Sequence, residues 1–244
     1  MKFEVIRGDD VSTDEAGRVI SECARESAPN AAPVAGIRLR RNFGKAAALT
    51  AGMKIATGKL ILMLDADLQD DPEEIPELIG VLNTGYDLVS GWKKIRYDPF
   101  IKKHTSKLFN YFTSKLSGIK LHDFNCGLKI YRKKVVKKIR LYGELHRYLP
   151  VLAHFIGYKV GEIAVKHHPR KYGKTKFGLN RFLNGFFDLF TVLFLSKYIS
   201  RPLHLFGLVG LLFFLAGVSI HLYLTILWFM GTGIGQRPLF FLGI

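Results

Sequence analysis

The alternation of apolar and polar positions changes character along the chain. Over the first 170 residues, short apolar runs alternate with amphipathic ones. Phe3–Arg7 reads as a strand ending in Gly8-Asp9-Asp10, and Glu15–Arg25 as a helix behind the capping pattern Ser12-Thr13-Asp14-Glu15. Val34–Leu39 predicts a second strand, Lys45–Ala56 a helix between Gly44 and Gly58, and Lys59–Leu64 a third strand. Pro72–Leu82 follows as a helix with proline in its first turn, then Tyr86–Ser90 as another strand. This order predicts an α/β domain, a mostly parallel sheet wrapped by helices, with ligands collecting at the carboxyl ends of the strands.

The pattern then turns to membrane-like. In Leu179–Ile199 the polar residues Asn180, Asn184, Asp188 and Thr191 recur every three or four positions, mostly apart from Phe182, Phe186, Phe187, Phe190 and Phe194. With Arg181, Lys197 and Arg201 at its ends, such a helix suits a membrane surface, packing on the preceding domain, or both. Leu203–Met230 holds 28 residues without one Asp, Glu, Lys or Arg, and roughly 20 suffice to cross a hydrocarbon core of about 30 Å. Gly231–Arg237 reads as a turn, and Pro238–Ile244 restarts an apolar run. The expected organisation is a catalytic domain over 1–176, an amphipathic juxtamembrane helix over 177–201 and a transmembrane region over 202–244. The last comprises one span, 203–230, and the start of a second, 238–244, as if the chain were cut there. Lys and Arg crowd the segment before the span, which puts that side in the cytoplasm, and no signal-peptide pattern opens the chain.

Charge sharpens this picture. Thirty-six Lys+Arg against 20 Asp+Glu give +16, and residues 93–140 carry 15 of the basic residues with only Asp98 and Asp123 against them. A polyanionic partner is implied: nucleic acid, anionic lipid or a phosphorylated substrate. Two cysteines, Cys23 and Cys126, are too few for a disulfide framework or a four-thiolate zinc site.

Candidate chemistry lies at the strand ends. Asp65-Ala-Asp67-Leu-Gln69-Asp70-Asp71-Pro72 follows the apolar run Leu60–Leu64. Two carboxylates two residues apart at a strand end can face one Mg²⁺ or Mn²⁺, with Gln69 a neutral oxygen donor; a solvated capping loop is the alternative. Asp9 and Asp10 end another strand, where a ribose or base contact competes with helix capping. Arg40-Arg41-Asn42-Phe43-Gly44-Lys45 sits at a strand-to-helix turn, with Lys45 near a helix N-terminus that favours anions. In the basic stretch His167–Lys176, Arg170 and Lys176 could close on a pyrophosphate or simply attract lipid headgroups. Cys126 has no base at a suggestive spacing and reads as structural.

Together the motifs resemble a family. Asp9-Asp10-Val-Ser-Thr-Asp14 is similar to the Asp-Asp-Gly-Ser-X-Asp motif of family-two glycosyltransferases of GT-A fold. Arg41–Lys45, Asp65–Pro72, Asp123-Phe-Asn-Cys-Gly127 and Arg170-Lys-Tyr-Gly-Lys-Thr-Lys176 resemble the branch that includes dolichol-phosphate mannose synthase and bactoprenol glucosyltransferases. The resemblance implies that Asp65, Asp67 and Gln69 hold the divalent ion, with Asp67 and Arg170 catalytic. It implies that Asp9, Asp10, Lys45, Asp65, Arg170 and Lys176 bind a UDP- or GDP-sugar, and that Lys102 and Ser106 meet the phosphate of a polyprenyl phosphate. Lys102 stands where the branch more often has Arg, and Val11 where it has Gly. The family's first strand and its nucleotide-holding loop lie before the point where this chain opens, so truncation at both ends is expected.

The implied activity is a membrane-anchored, inverting transfer of sugar to a polyprenyl phosphate, an envelope reaction on the cytoplasmic side of a bacterial inner membrane or its equivalent. Lys103–Leu116 supports it, with Leu108, Phe109, Phe112 and Leu116 on one face and lysines around them. Rival readings are another envelope glycan or a protein as acceptor, and a non-catalytic membrane scaffold. The Gln-X-X-Arg-Trp motif of processive synthases is absent, since the glutamines are Gln69 and Gln236. Nucleic-acid binding lacks any recognisable signature, and the sequence leaves oligomeric state open.

Overall fold

The computed structural model describes residues 2–12, 15–25, 32–94, 100–139, 141, 143, 145–169, 179–198, 202–231, 233 and 238. The chain divides into two compact units, Met1–Leu193 and Phe194–Ile244.

The first unit opens with β1 (Val5–Asp9), α1 (Ala16–Arg25), β2 (Val34–Arg38) and α2 (Lys45–Ile55). The crossover through α1 makes β1 and β2 parallel, in register from Val5 opposite Val34 to Asp9 opposite Arg38. There follow β3 (Leu60–Met63), a 3₁₀ turn (Pro72–Glu74), α3 (Ile75–Asn83), β4 (Leu88–Lys93) and α4 (Phe100–Ser117). The unit is completed by β5 (Lys129–Arg132), α5 (Lys133–Lys138), a 3₁₀ turn (Leu145–Tyr148), α6 (Leu149–Phe155), β6 (Val160–Val165) and α7 (Leu179–Leu193).

The expected α/β class holds, but the mostly parallel sheet does not. Among the described residues the strands form two sheets, β1-β2 and a mixed four-stranded sheet in the order β3-β5-β4-β6. β4 and β6 are parallel, whereas β5 runs antiparallel to both neighbours. The physical cause is β5 itself, which returns after α4 and inserts between β3 and β4.

Burial on both faces of the four-stranded sheet fixes its side-chain alternation. Val89, Leu128 and Ile130 pack with Leu78 and Leu82 of α3 in one cluster. Leu88 and Tyr131 belong to the other cluster, with Leu145, Tyr148, Leu149 and Val151. α7 joins this second cluster through Leu189 and Val192, and the Tyr148 hydroxyl donates to the Gly185 carbonyl. The helix read as juxtamembrane therefore packs, up to Leu193, within the α/β unit, while Phe187 and Phe190 of the same helix stay exposed.

The second unit contains a π-helical turn (Phe194–Tyr198) and α8 (Pro202–Phe229). At 1.5 Å per residue α8 is about 42 Å long. Its large apolar side chains are exposed along most of its length, Leu203 by 78% and Phe213 by 76%. By length and composition α8 is long and apolar enough to cross a hydrocarbon core. The second apolar run lies outside the described residues, apart from Pro238.

Candidate active site

The carboxyl ends of β1, β3 and β4, the turn before α2 and the 123–127 loop converge chemically through a set of alternating charges. β1 ends in Asp9, buried, whose Oδ1 accepts from the Ser12 amide at 2.8 Å and whose Oδ2 lies 3.6 Å from Arg38 Nε. This turn passes through Val11 at φ +58°, a left-handed conformation that β-branched residues rarely adopt. Val11→Gly is therefore expected to stabilise the protein by about 1 kcal/mol. Thermal unfolding of the detergent-solubilised chain would show it as a higher Tm, and an unchanged or lower Tm would refute the strain.

Asp10 fastens the end of β1 to the next turn: its two oxygens accept from the Phe43 and Gly44 amides, each at 2.8 Å. Gly44, at φ +88°, supplies the conformation that lets the chain enter α2 there. Lys45 then lies in the first turn of α2, and its Nζ meets Asp65 Oδ1 at 2.5 Å. Asp65 lies two residues beyond the end of β3 at Met63. Burial pushes its carboxyl up, but Lys45, aided by Lys93 and Lys129, outweighs burial and holds it below the ordinary carboxylate range.

The rest of the acidic loop is pinned. Asp67 Oδ1 accepts from the Gln69 amide at 3.3 Å. Leu68 sits at φ +58°, a second left-handed residue, exposed at the tip. Asp70 is buried against Lys93 Nζ, 2.7 Å from its Oδ1. Burial works against the charge on Lys93, but Cys126, Asp70 and Asp123 more than reverse it and raise its pKa.

Like Lys93, two further features were not read from the sequence. The first is Lys129, wholly buried in β5 opposite Met63 and Ser90. Its ammonium donates to the Phe124 carbonyl at 3.2 Å and to the Cys126 carbonyl, and burial lowers its pKa. Lys129 thus holds the 123–127 loop from beneath, while Glu162 holds its start by accepting from the amides of His122 and Asp123. Cys126, in that loop, is buried and its thiol pushed up to about 12, as an inert structural thiol should be. The only signal for Lys129 was a lone lysine inside the apolar run Leu128–Tyr131.

The second is the docking of the segment after β6 onto the acidic loop. His167 bridges Asp70 in antiparallel fashion, and the His168 amide donates to the Gln69 carbonyl at 2.8 Å. The Gln69 side-chain nitrogen lies 3.4 Å from the His168 carbonyl, and His168 Nε2 lies 3.1 Å from Asp71 Oδ2. Arg170 and Lys176 lie outside the described residues. Lys102 and Ser106 occupy positions one turn apart on α4, with Ser106 half-buried and the Lys102 side chain outside the described residues.

A Cβ built on Gly127 would lie 2.6 Å from Asp65 Oδ2 and 2.8 Å from Asp70 Oδ2, so two carboxylate oxygens crowd one bare backbone position. Among the described residues no group of three or more His, Cys, Asp or Glu could hold a metal by itself. The donor set is hard oxygen and incomplete. It suits Mg²⁺ or Mn²⁺, which usually take one or two carboxylates and complete their shell with phosphate oxygens and water.

A family model described as glycosyl transferase family 2 matches residues 1–140. Over 213 residues the chain is 40% identical to dodecaprenyl-phosphate galacturonate synthase of Rhizobium johnstonii, covering 85% of this chain and 63% of that protein. Over 225 residues it is 33% identical to undecaprenyl-phosphate 4-deoxy-4-formamido-L-arabinose transferase of Yersinia enterocolitica, covering 92% and 66% respectively. The chain thus spans just under two thirds of the length of these two relatives. Among solved structures, it resembles glucosyl-3-phosphoglycerate synthase from Mycobacterium tuberculosis in complex with Mn²⁺, uridine diphosphate and glucosyl-3-phosphoglycerate. The TM-score is 0.57 at 18% identity, over 79% of this chain and 68% of that one. This likeness shows a common GT-A-like α/β fold.

Proposed function

This chain belongs to glycosyl transferase family 2, and from that premise we propose that it transfers a sugar from a nucleotide diphosphate donor to a polyprenyl phosphate at a membrane. The observation that carries the proposal is the acidic loop 65–71, tied to the base of the 167–176 segment, in a chain whose relatives are named polyprenyl-phosphate sugar transferases.

Asp65, Asp67 and Gln69 would hold Mg²⁺ or Mn²⁺, the Gln69 side-chain nitrogen lying towards the His168 carbonyl. When bound, the ion neutralises charge on the departing nucleotide diphosphate. Asp10 and Lys45 line the donor's side, with Asp9 buried behind them, and Arg170 and Lys176 close on its phosphates. Lys102 and Ser106 orient the acceptor phosphate for in-line attack on the anomeric carbon, which inverts it. A phosphate monoester has its second pKa near 6. It is ionised at neutral pH, so the nucleophile needs no dedicated base. α8 crosses the bilayer, with the catalytic unit in the cytoplasm, and the cationic, partly apolar α4 suits a phosphate-bearing lipid.

The test is incubation of the membrane-embedded protein with UDP- and GDP-sugars, polyprenyl phosphate and Mn²⁺. An organic-extractable lipid-linked sugar, lost on chelation, is the expected product. Failure with every donor would overturn the proposal, and transfer to a glycan or protein instead would replace the acceptor.

A further inference from the structure

We propose that Lys45 is an exchangeable cation, neutralising Asp65 while no divalent ion is bound and passing to the donor diphosphate when the ion takes Asp65. The inference rests on the assignment of Asp65 as a metal ligand and adds an order to the binding events.

Three observations converge on it. The contact of Lys45 Nζ with Asp65 Oδ1 is short, 2.5 Å, yet the two side chains remain 35% and 32% exposed. The neighbouring pair, Lys93 with Asp70, is 13% and 0% exposed. One pair is sealed into the protein, and the other stands at the mouth of the site. The second Asp65 oxygen turns towards Gly127 beside Asp70 Oδ2, so Oδ1 is the face of the carboxylate that Lys45 covers. A metal ion seeking that oxygen meets a like charge already on it.

The third observation is where Lys45 can go. Its backbone is fixed in the first turn of α2, and its ammonium rides on a flexible four-carbon stem with freely rotating donors. Helix N-termini favour anions, so a diphosphate drawn to this turn offers Lys45 a new partner as the ion displaces it. No net charge is left uncompensated at any stage. Free metal alone must break the Lys45–Asp65 pair without this compensation, so metal and nucleotide should bind together far better than metal alone.

The measurement is Mn²⁺ binding to the full chain in detergent, read from the electron paramagnetic resonance of free Mn²⁺, with and without UDP. Lys45→Met is expected to bind Mn²⁺ alone about tenfold more tightly than the unaltered chain, and to lose much of the enhancement by UDP. Lys45→Arg should show no gain, because its guanidinium grips the carboxylate at least as firmly. Adding Asp65→Asn to Lys45→Met should abolish the gain. Lys45→Gln provides a second neutral variant should Lys45→Met prove unstable. Unchanged or weaker Mn²⁺ binding in the neutral variants overturns the exchange and makes Lys45 a fixed structural partner. If even the unaltered chain binds no Mn²⁺ with UDP present, the metal assignment itself fails, and the exchange with it.

Discussion

Asp67→Asn is expected to lower sugar transfer about 10³-fold, equivalent to roughly 4 kcal/mol of lost transition-state stabilisation, with little change in Tm. Asp67 lies in the turn after β3, where its Oδ1 takes the Gln69 amide; an asparagine oxygen can accept the same bond. Folding should therefore tolerate the change, while the anionic charge that would hold the ion is gone. Asp65→Asn should differ in kind. That carboxylate is the counter-charge to Lys45 at 2.5 Å and lies within the influence of Lys93 and Lys129. Neutralising it leaves clustered cations opposed to one another. Since the side chain is one-third exposed, a stability loss of about 2 kcal/mol is expected, between the values for surface and buried pairs. Parallel measurement of turnover, Mn²⁺ binding and Tm separates the two. Retention of full activity by Asp67→Asn would remove the metal-assisted mechanism.

The contrast between these aspartates also shows what could be read from the sequence. The acidic loop was legible because an apolar run ended abruptly in carboxylates, and strand ends are where α/β sheets place ligands. The long uncharged helix was legible from length alone. The mixed sheet was not, because its central strand hides in a cationic stretch: Lys129-Ile-Tyr-Arg132 is followed by Lys133 and Lys134. Formal charge there suggested a surface for a polyanionic partner, yet Lys129 is wholly buried, its ammonium taken by carbonyls of the 123–127 loop. Lys93 was missed for a related reason. The strand expected to stop at Ser90 continues to Lys93, which delivers that lysine to Asp70. His167 and His168 open the stretch in which Arg170 and Lys176 read as a pyrophosphate clamp, and their own contacts with the acidic loop, between segments almost a hundred residues apart, left no local sign. Val11 was visible as a departure from glycine, but its left-handed backbone, and hence its cost, belongs to the folded turn. Local pattern finds where the carboxylates are; Lys93, which holds Asp70, comes from a distant strand and is invisible to it.

That dependence on distant partners leads to the strongest prediction for a residue with no chemistry of its own. Gly127→Ala is expected to reduce transfer about 100-fold, some 3 kcal/mol, and to weaken Mn²⁺ binding in the presence of UDP. The backbone at Gly127 is not in the left-handed region, so alanine meets no conformational penalty there. The obstacle is its methyl group, which would stand 2.6 Å from Asp65 Oδ2 and 2.8 Å from Asp70 Oδ2, well inside van der Waals contact. A long side chain could swing away at small cost, but aspartate has one methylene and both carboxylates are tethered. Asp70 is held by Lys93 at 2.7 Å in a sealed pair, and Asp65 by Lys45 at 2.5 Å. The Gly127 backbone cannot retreat either, because Lys129 binds the preceding carbonyl, that of Cys126, from below. Asp65 belongs to the more exposed pair, so it is the group that should yield, moving the oxygens on which the metal and the donor depend. A misplacement near 1 Å is enough to cost about 100-fold in rate. Turnover and Mn²⁺ binding should fall together, and a crystal structure of the variant should show the Asp65 carboxylate displaced. A Gly127→Ala enzyme with unaltered kinetics would show that the two carboxylates move freely, contrary to the tethering by Lys45, Lys93 and Lys129.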